Sequence, residues 1–363
     1  MNDYQKFLES KKHSMIDSGI KTKFLPDKMF DFQKYITEMT IKKGRYANFL
    51  DTGTGKTFMQ LEWAYHVSMH TNKPVLILAP LAVSAQTINE GKKFNIHIEK
   101  LKSDVFGPGI YITNYEQLEN IDCLQFGGIV LDESSILKNF NGATKNAIID
   151  KFKNTLYKLA CTACPSPNDD LELGNHAEFL NVMSSQDMRA IYFTTEKSRK
   201  DGNKYRLKKH GIDDFFTWVN SWAIMLSKPS DIGFSDEGYH LPKLHIHEVI
   251  IESNIKSDSL LQSNALTLQE KQRARKQSIG IRVEKAAEIA SKITDPLIIW
   301  CELNDESHAL KSAIPESVEV KGSDSVDNKE DRLIGFSEGK YNKIITKSSI
   351  AGFGMNWQHC HDQ

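Results

Sequence analysis

The chain has 363 residues, 40% hydrophobic and 26% charged, which is enough to bury ordinary cores in more than one domain. Lys and Arg total 46 against 47 Asp and Glu, so any affinity for a polyanion has to come from local clustering of positive charge rather than from the overall balance. The amino terminus lacks the apolar core of a secretory signal, the longest apolar run (Val75 to Ala85) is broken by Pro80, and five irregularly spaced cysteines build no disulfide framework; these features predict a cytoplasmic protein with free thiols and no membrane partner.

In chain order, short β-rich runs at Tyr46–Leu50, Val75–Ala79, Gly109–Thr113, Gly128–Leu131 and Leu156–Ala160 alternate with stretches that can carry helices. That alternation predicts an α/β first lobe over residues 1–170, with a parallel sheet covered on both faces. Residues 171–280, rich in aromatics and charge, are predicted to form an α-rich bridging insertion. Within it Phe215, Trp218 and Trp222 fall on one helical face, a spacing that suits core packing. A helix-like segment, Arg282–Ile293, then precedes runs at Leu297–Trp300, Val318–Lys321 and Lys343–Thr346, which open a second α/β lobe over 281–363. No repeat of fixed period is visible, which argues against a solenoid or propeller.

The segment Leu50-Asp51-Thr52-Gly53-Thr54-Gly55-Lys56-Thr57 lies between a predicted strand and a stretch in which Met59, Trp63 and Val67 recur at helical spacing. This is the context of a P-loop. Gly53 and Gly55 let the backbone curl so that successive N–H groups point inward, Lys56 can reach the β- and γ-phosphates of ATP, and Thr57 can offer its hydroxyl to Mg²⁺. Leu50 stands where the full pattern has its first glycine, so only the GTGKT core is kept. Further on, Gly128-Ile129-Val130-Leu131-Asp132-Glu133 is an apolar strand ending in two acids, at the edge where parallel sheets bind ligands. Asp132 can hold Mg²⁺ and Glu133 can orient and deprotonate the attacking water; Lys56, Asp132 and Glu133 are therefore the candidate catalytic residues.

With those residues in place the chain resembles superfamily 2 helicases, DEAD/DEAH-box-related enzymes, and more narrowly the Swi/Snf-like helicases of phages and prophages. Phe30-Asp31-Phe32-Gln33 is similar to the glutamine motif, in which Gln33 would read adenine; Leu78-Ala79-Pro80-Leu81 with Gln86 is similar to motif Ia, and Thr113-Asn114-Tyr115-Glu116 to motif Ib. Asp132-Glu133-Ser134-Ser135 resembles motif II and Thr162-Ala163-Cys164-Pro165 motif III, with Thr162 and Ala163 in the coupling role. Ile298-Ile299-Trp300-Cys301 resembles motif IV, and the run from Ser348 to Gln358, with Gly352 and Gly354 toward the nucleotide, motif V. The resemblance implies two RecA-like P-loop NTPase lobes with ATP and Mg²⁺ as cofactors, Thr54 in the cradle, and Pro80, Gln86, Thr113, Asn114, Tyr115, Trp300 and Ser349 along the nucleic acid. It also implies a motif VI with arginine fingers beyond motif V; the sequence ends at Gln363 without one, so the second lobe is expected to be incomplete. Ser135 replaces a histidine common in relatives and is expected to couple differently to motif III.

Basic runs add candidate phosphate contacts: Lys197, Arg199, Lys200, Lys204, Arg206, Lys208 and Lys209 around Tyr205, and Lys271 to Lys276. Two metal-like patterns, Cys161-x-x-Cys164 and His245-x-His247, lack further ligands at zinc-site spacing and are not expected to bind metal. The reading is thus an ATP-dependent helicase or translocase, with duplex DNA as the favoured nucleic-acid partner and protein partners of a replication or restriction system possible. An ATP-binding clamp with little turnover, an RNA helicase and a small-molecule P-loop kinase are the alternatives.

Overall fold

A computed structural model of the chain describes residues 17–22, 24–101, 107–139, 142–198, 202–239, 242–251, 268–352 and 354–363, with the side chains of 82, 196–198, 202–204 and 268–272 outside that description. The chain forms two compact units whose main division falls between Leu241 and Pro242.

In the first unit, helix α1 (Asp31–Lys43) leads into β1 (Arg45–Leu50), α2 (Lys56–Thr71), β2 (Pro74–Ala79), α3 (Ser84–Lys93), β3 (Ile98–Lys100), β4 (Gly109–Asn114), β5 (Gly128–Asp132), α4 (Ala143–Lys151) and β6 (Tyr157–Thr162). Then follow α5 (Leu173–Phe179), α6 (Ser185–Tyr192), an antiparallel hairpin of β7 (Phe193–Ser198) and β8 (Gly202–Leu207), α7 (Ile212–Trp222) and β9 (Ala223–Leu226). Seven strands form one parallel sheet in the order β3-β4-β2-β5-β6-β1-β9. Every residue of β2, β5 and β6 is buried, as expected for central parallel strands covered on both faces, whose sequences read as continuous apolar runs instead of alternating ones.

The expected separate insertion over 171–280 is corrected by this arrangement. Residues up to 239 belong to the first unit, because β9 hydrogen-bonds in parallel to β1 and extends its sheet. Phe215, Trp218, Val219 and Trp222 of α7 are buried in the first unit's core, with Trp222 edge-on to Phe49 at 6.1 Å between ring centroids. The shared aromatic face is thus core packing, as its spacing predicted.

The second unit contains α8 (Leu268–Gln277), α9 (Ile279–Ala290), β10 (Leu297–Trp300), α10 (Asn304–Ala313), β11 (Val318–Glu319), α11 (Val326–Ser337), β12 (Lys343–Thr346) and α12 (Ser348–Ala351). Its three strands form a parallel sheet in the order β10-β12-β11, with Phe336, Ile344 and Ile345 fully buried around it. The fold is therefore α/β with parallel sheets in both units, as the alternation of runs predicted. His245 and His247 lie in an exposed stretch without secondary structure. No helix among the described residues is long and apolar enough to cross a membrane, and all five cysteines are free.

Candidate nucleotide-binding site

The loop from Leu50 to Thr57 connects β1 to α2 at the carboxyl edge of the large sheet. Gly53 (φ 80°) and Gly55 (φ 85°) both occupy the left-handed region, which side chains disfavour and glycine tolerates. Gly55 caps α2, and the first helical turn is closed by Phe58 N–H donating to the Gly55 carbonyl at 3.1 Å. The amides ahead of that bond belong to the helix terminus, where N–H groups lack intrahelical acceptors and the helix dipole favours anions. The buried Thr54 hydroxyl donates to the Asp51 carbonyl at 2.8 Å, holding the loop closed. Lys56 folds back so that its ammonium donates to the carbonyls of Leu50 (2.9 Å) and Asp51 (3.0 Å); phosphate oxygens would compete with these two neutral acceptors and carry the advantage of charge. Thr57, half-buried, opens the helix beside it.

Gln33 is built into the same loop. Its carboxamide nitrogen donates to the Thr54 carbonyl at 2.9 Å and its oxygen accepts from the Phe30 N–H at 3.1 Å. Both bonds turn the side chain into a brace between α1 and the P-loop, and only 5% of Gln33 is exposed.

Asp132 ends β5 and Glu133 follows it, two strands from β1 with β6 between them. Burial raises the Asp132 carboxyl to about 6, the adjacent Glu133 adds to the rise, and Gln60 and Lys56 offset part of it. Burial also raises Glu133, against the opposing pull of Lys56 and Thr162. A buried carboxyl at this edge suits a divalent metal, which would displace its proton, since Mg²⁺ takes one or two carboxylates and completes its shell with water and phosphate oxygens. Among the described residues no cluster of three or more His, Cys, Asp or Glu could hold a metal by itself. The donor types fit Mg²⁺ carried in with a nucleotide, which Asp132 and the Thr57 hydroxyl would hold.

Glu133 sits at φ 56°, in the left-handed region, and is followed by a short 3₁₀ turn over Ser134–Lys138. A non-glycine residue there is strained and persists only where its surroundings hold it. Thr162, at the end of β6, donates its hydroxyl to the Glu133 carboxylate at 3.3 Å and accepts from the Cys164 N–H at 3.2 Å. Thr162 thus joins the acid to the loop that follows β6, while Ala163 is half-buried and contributes backbone only.

Other expected contacts are placed differently. Tyr115 is buried, and its phenol donates to the Asp132 carbonyl at 2.6 Å, so it braces β5 instead of facing solvent. Thr113 is buried within β4, and Asn114 accepts from the Gln117 N–H as a cap. Pro80 and Gln86 are half-buried. Lys208 donates to the carbonyls of Ala190 and Ile191 at the end of α6, where its charge offsets the helix C-terminus. The side chains of Lys204 and Lys271 lie outside the described residues. In the second unit Trp300 is 37% exposed, tilts against Trp357 and donates to the Gln363 side chain at 3.0 Å, and Ser349 is exposed on α12. Gly352 and Gly354 are exposed, the latter at φ 71°.

Sequence reasoning missed the residues that hold the acids from behind. His176 and Asn175 are both buried and hydrogen-bond to the turn after Glu133, at Ser134 and Leu137, and the Glu172 carbonyl backs the His176 ring at 3.4 Å. Ser135, expected to couple to the loop after β6, is half-buried; its neighbour Ser134 bonds instead to His176 on α5, and the bond to the end of β6 is made by Glu133.

These features define an α/β P-loop architecture in the first unit. Among solved structures the chain is similar to the Sulfolobus solfataricus SWI2/SNF2 ATPase core in complex with dsDNA, at 16% identity and a TM-score of 0.47, over 92% of this chain and 80% of that one. It is also similar to the UvsW helicase from bacteriophage T4 (17% identity, TM-score 0.35, 50% of this chain and 64% of that one) and to the Pyrococcus furiosus Hef helicase domain (12%, 0.38, 88% and 85%). No protein-family model matches the chain, and no curated protein matches it.

Proposed function

We propose that this protein is an ATP- and Mg²⁺-dependent nucleic-acid motor, a helicase or translocase of the superfamily 2 type, acting on duplex DNA. The observation that carries the reading is the joint placement of Lys56 on the P-loop and of Asp132 and Glu133 at the same sheet edge, with Thr162 bonded to Glu133. In this scheme the P-loop amides and Lys56 bind the phosphates, Thr57 and Asp132 hold Mg²⁺, Gln33 reads adenine, and Glu133 takes a proton from the attacking water. Thr162 reports the state of that site to the loop after β6. The ordered resemblance of eight segments to helicase motifs distinguishes this reading from a small-molecule kinase, which needs no second α/β unit. The preference for duplex DNA rests on the Swi/Snf-like character of those segments, and Trp300 and Ser349 are the proposed contacts to it from the second unit.

The test is ATP hydrolysis by the full chain with and without duplex DNA, single-stranded DNA and RNA, with Glu133→Gln as the blank. The expected result is turnover above that blank, raised most by duplex DNA. Turnover raised most by RNA would replace the track, and turnover indifferent to all three polymers would reject the motor.

A further inference from the structure

The strongest unexplained group in the first unit is a histidine with no exposed surface. His176 lies on α5 (Leu173–Phe179), 0% exposed, edge-on to Phe49 at 5.0 Å between ring centroids. Its Nε2 is 3.1 Å from the Ser134 hydroxyl and its Nδ1 is 3.4 Å from the Glu172 carbonyl oxygen. A carbonyl oxygen can only accept, so the proton of the neutral ring belongs on Nδ1; Nε2 is then an acceptor, and the Ser134 hydroxyl donates to it. Burial lowers the imidazole to about 4, which keeps the ring neutral and this polarity fixed.

Three more bonds come from this short helix and the residue that caps it. The Asn175 carboxamide donates to the Leu137 carbonyl at 2.8 Å, and the Glu172 carboxylate accepts from the side chain of Asn168 at 2.7 Å and from its backbone N–H at 3.4 Å. Residues 172–176 therefore grip the turn after Glu133 at Ser134 and Leu137, and the loop after β6 at Asn168. Glu133 itself has a left-handed backbone, so its conformation must be maintained by neighbours.

We infer that His176 is a positioning residue: by accepting the Ser134 hydroxyl it locks the left-handed turn that aims the Glu133 carboxylate. The inference rests on the ATPase reading for its effect on turnover, but the lock itself can be measured without turnover. It assigns to a side chain of α5 a coupling role that motif resemblance assigns to the segment Asp132–Ser135 and to Thr162 and Ala163.

Three variants test it. His176→Leu and Ser134→Ala each delete one partner, whereas His176→Gln places a carboxamide oxygen where Nε2 was and keeps an acceptor for Ser134. The expected result is a kcat lower by roughly tenfold in His176→Leu and Ser134→Ala, the scale of one buried hydrogen bond, with KM for ATP within about twofold. His176→Gln is expected to stay within about threefold of the parent, and the Ser134→Ala/His176→Leu pair to be no worse than the poorer single variant. In parallel, hydrogen exchange of the Ser134–Lys138 amides is expected to speed up in both deleting variants and not in His176→Gln. Folded variants with parental kcat and parental exchange overturn the inference, as do losses that multiply in the pair or that fall on KM. If His176→Leu does not fold, Ser134→Ala and His176→Gln still decide it. If the parent chain does not hydrolyse ATP, the functional reading fails, and the exchange measurement alone decides the lock.

Discussion

Replacing Gly55 and Gly53 separately by alanine separates two reasons for glycine in the same loop. Both residues have a positive φ, 85° and 80°, so a Cβ at either position carries the left-handed penalty of about 1–2 kcal/mol. Gly53 faces open space, with nothing within 4 Å of an added Cβ. At Gly55 the new carbon would overlap the Gln33 carboxamide nitrogen, which is held at 2.9 Å from the Thr54 carbonyl. Displacing a 95%-buried carboxamide from that bond leaves a polar group unsatisfied, at about 1–3 kcal/mol. Gly55→Ala should therefore destabilise the first unit by about 2 kcal/mol more than Gly53→Ala, a gap of roughly 4–8 °C in midpoint for a unit of this size. Thermal unfolding followed by tryptophan fluorescence reads this directly, because Trp63, Trp218 and Trp222 are all buried in that unit. Adding Gln33→Ala should bring the cost of Gly55→Ala down to that of Gly53→Ala. Equal midpoints for the two glycine variants, or an unchanged cost once Gln33 is gone, would refute the brace between α1 and the P-loop.

Asp132, raised from 3.8 to about 6, holds its proton more tightly in the folded protein than in the unfolded chain, so stability is fullest at acid pH and falls as pH rises to about 6. The loss is about 3 kcal/mol, and Asp132→Asn should raise the unfolding midpoint at neutral pH while abolishing Mg²⁺-dependent hydrolysis. The same proton competes with the metal: about one pH unit below its pKa only about a tenth of Asp132 is ionised, and the apparent Mg²⁺ affinity of the nucleotide complex should be roughly tenfold weaker, as titration of a fluorescent ATP analogue with Mg²⁺ would show. Lys56→Ala should remove most ATP binding in the same titration, whereas Glu133→Gln should keep binding and reduce kcat by about 10²- to 10⁴-fold. Thr162→Val removes the hydroxyl that bridges Glu133 and the Cys164 N–H; it is expected to lower kcat by about tenfold with ATP affinity retained, as steady-state kinetics beside equilibrium binding would establish.

The elements legible in the sequence are those whose cause is local. β2, β5 and β6 are fully buried, so their residues had to be apolar runs, and the runs were visible. The P-loop was visible because a backbone forced to positive φ twice in three residues leaves glycine as its trace. β9 was hidden for the opposite reason. Ala223–Leu226 is only four residues long, it follows α7 directly, and its parallel pairing with β1 joins residues far apart in sequence. Nothing local distinguishes it from the end of the helix, so in sequence its segment reads as part of a separate insertion.

The same distinction divides the site. Asp132 and Glu133 announce themselves because charged residues at the end of an apolar strand need a reason to be there, and Lys56 because it follows the two loop glycines. The groups that hold those residues carry no such signature. A buried phenol at Tyr115, a buried imidazole at His176 and a buried carboxamide at Asn175 look in sequence like a strand-contact motif or ordinary helix residues, yet each is bonded to β5 or to the turn that follows it. Their polarity is compatible with burial only because each finds a partner there, and the partner is defined by the fold. Glu133 shows why such a shell is needed. Its left-handed backbone and its raised carboxyl are both unfavourable by themselves, and a chain that places an acid under two such strains at the carboxyl edge of its sheet must surround it with fixed hydrogen bonds or lose its geometry.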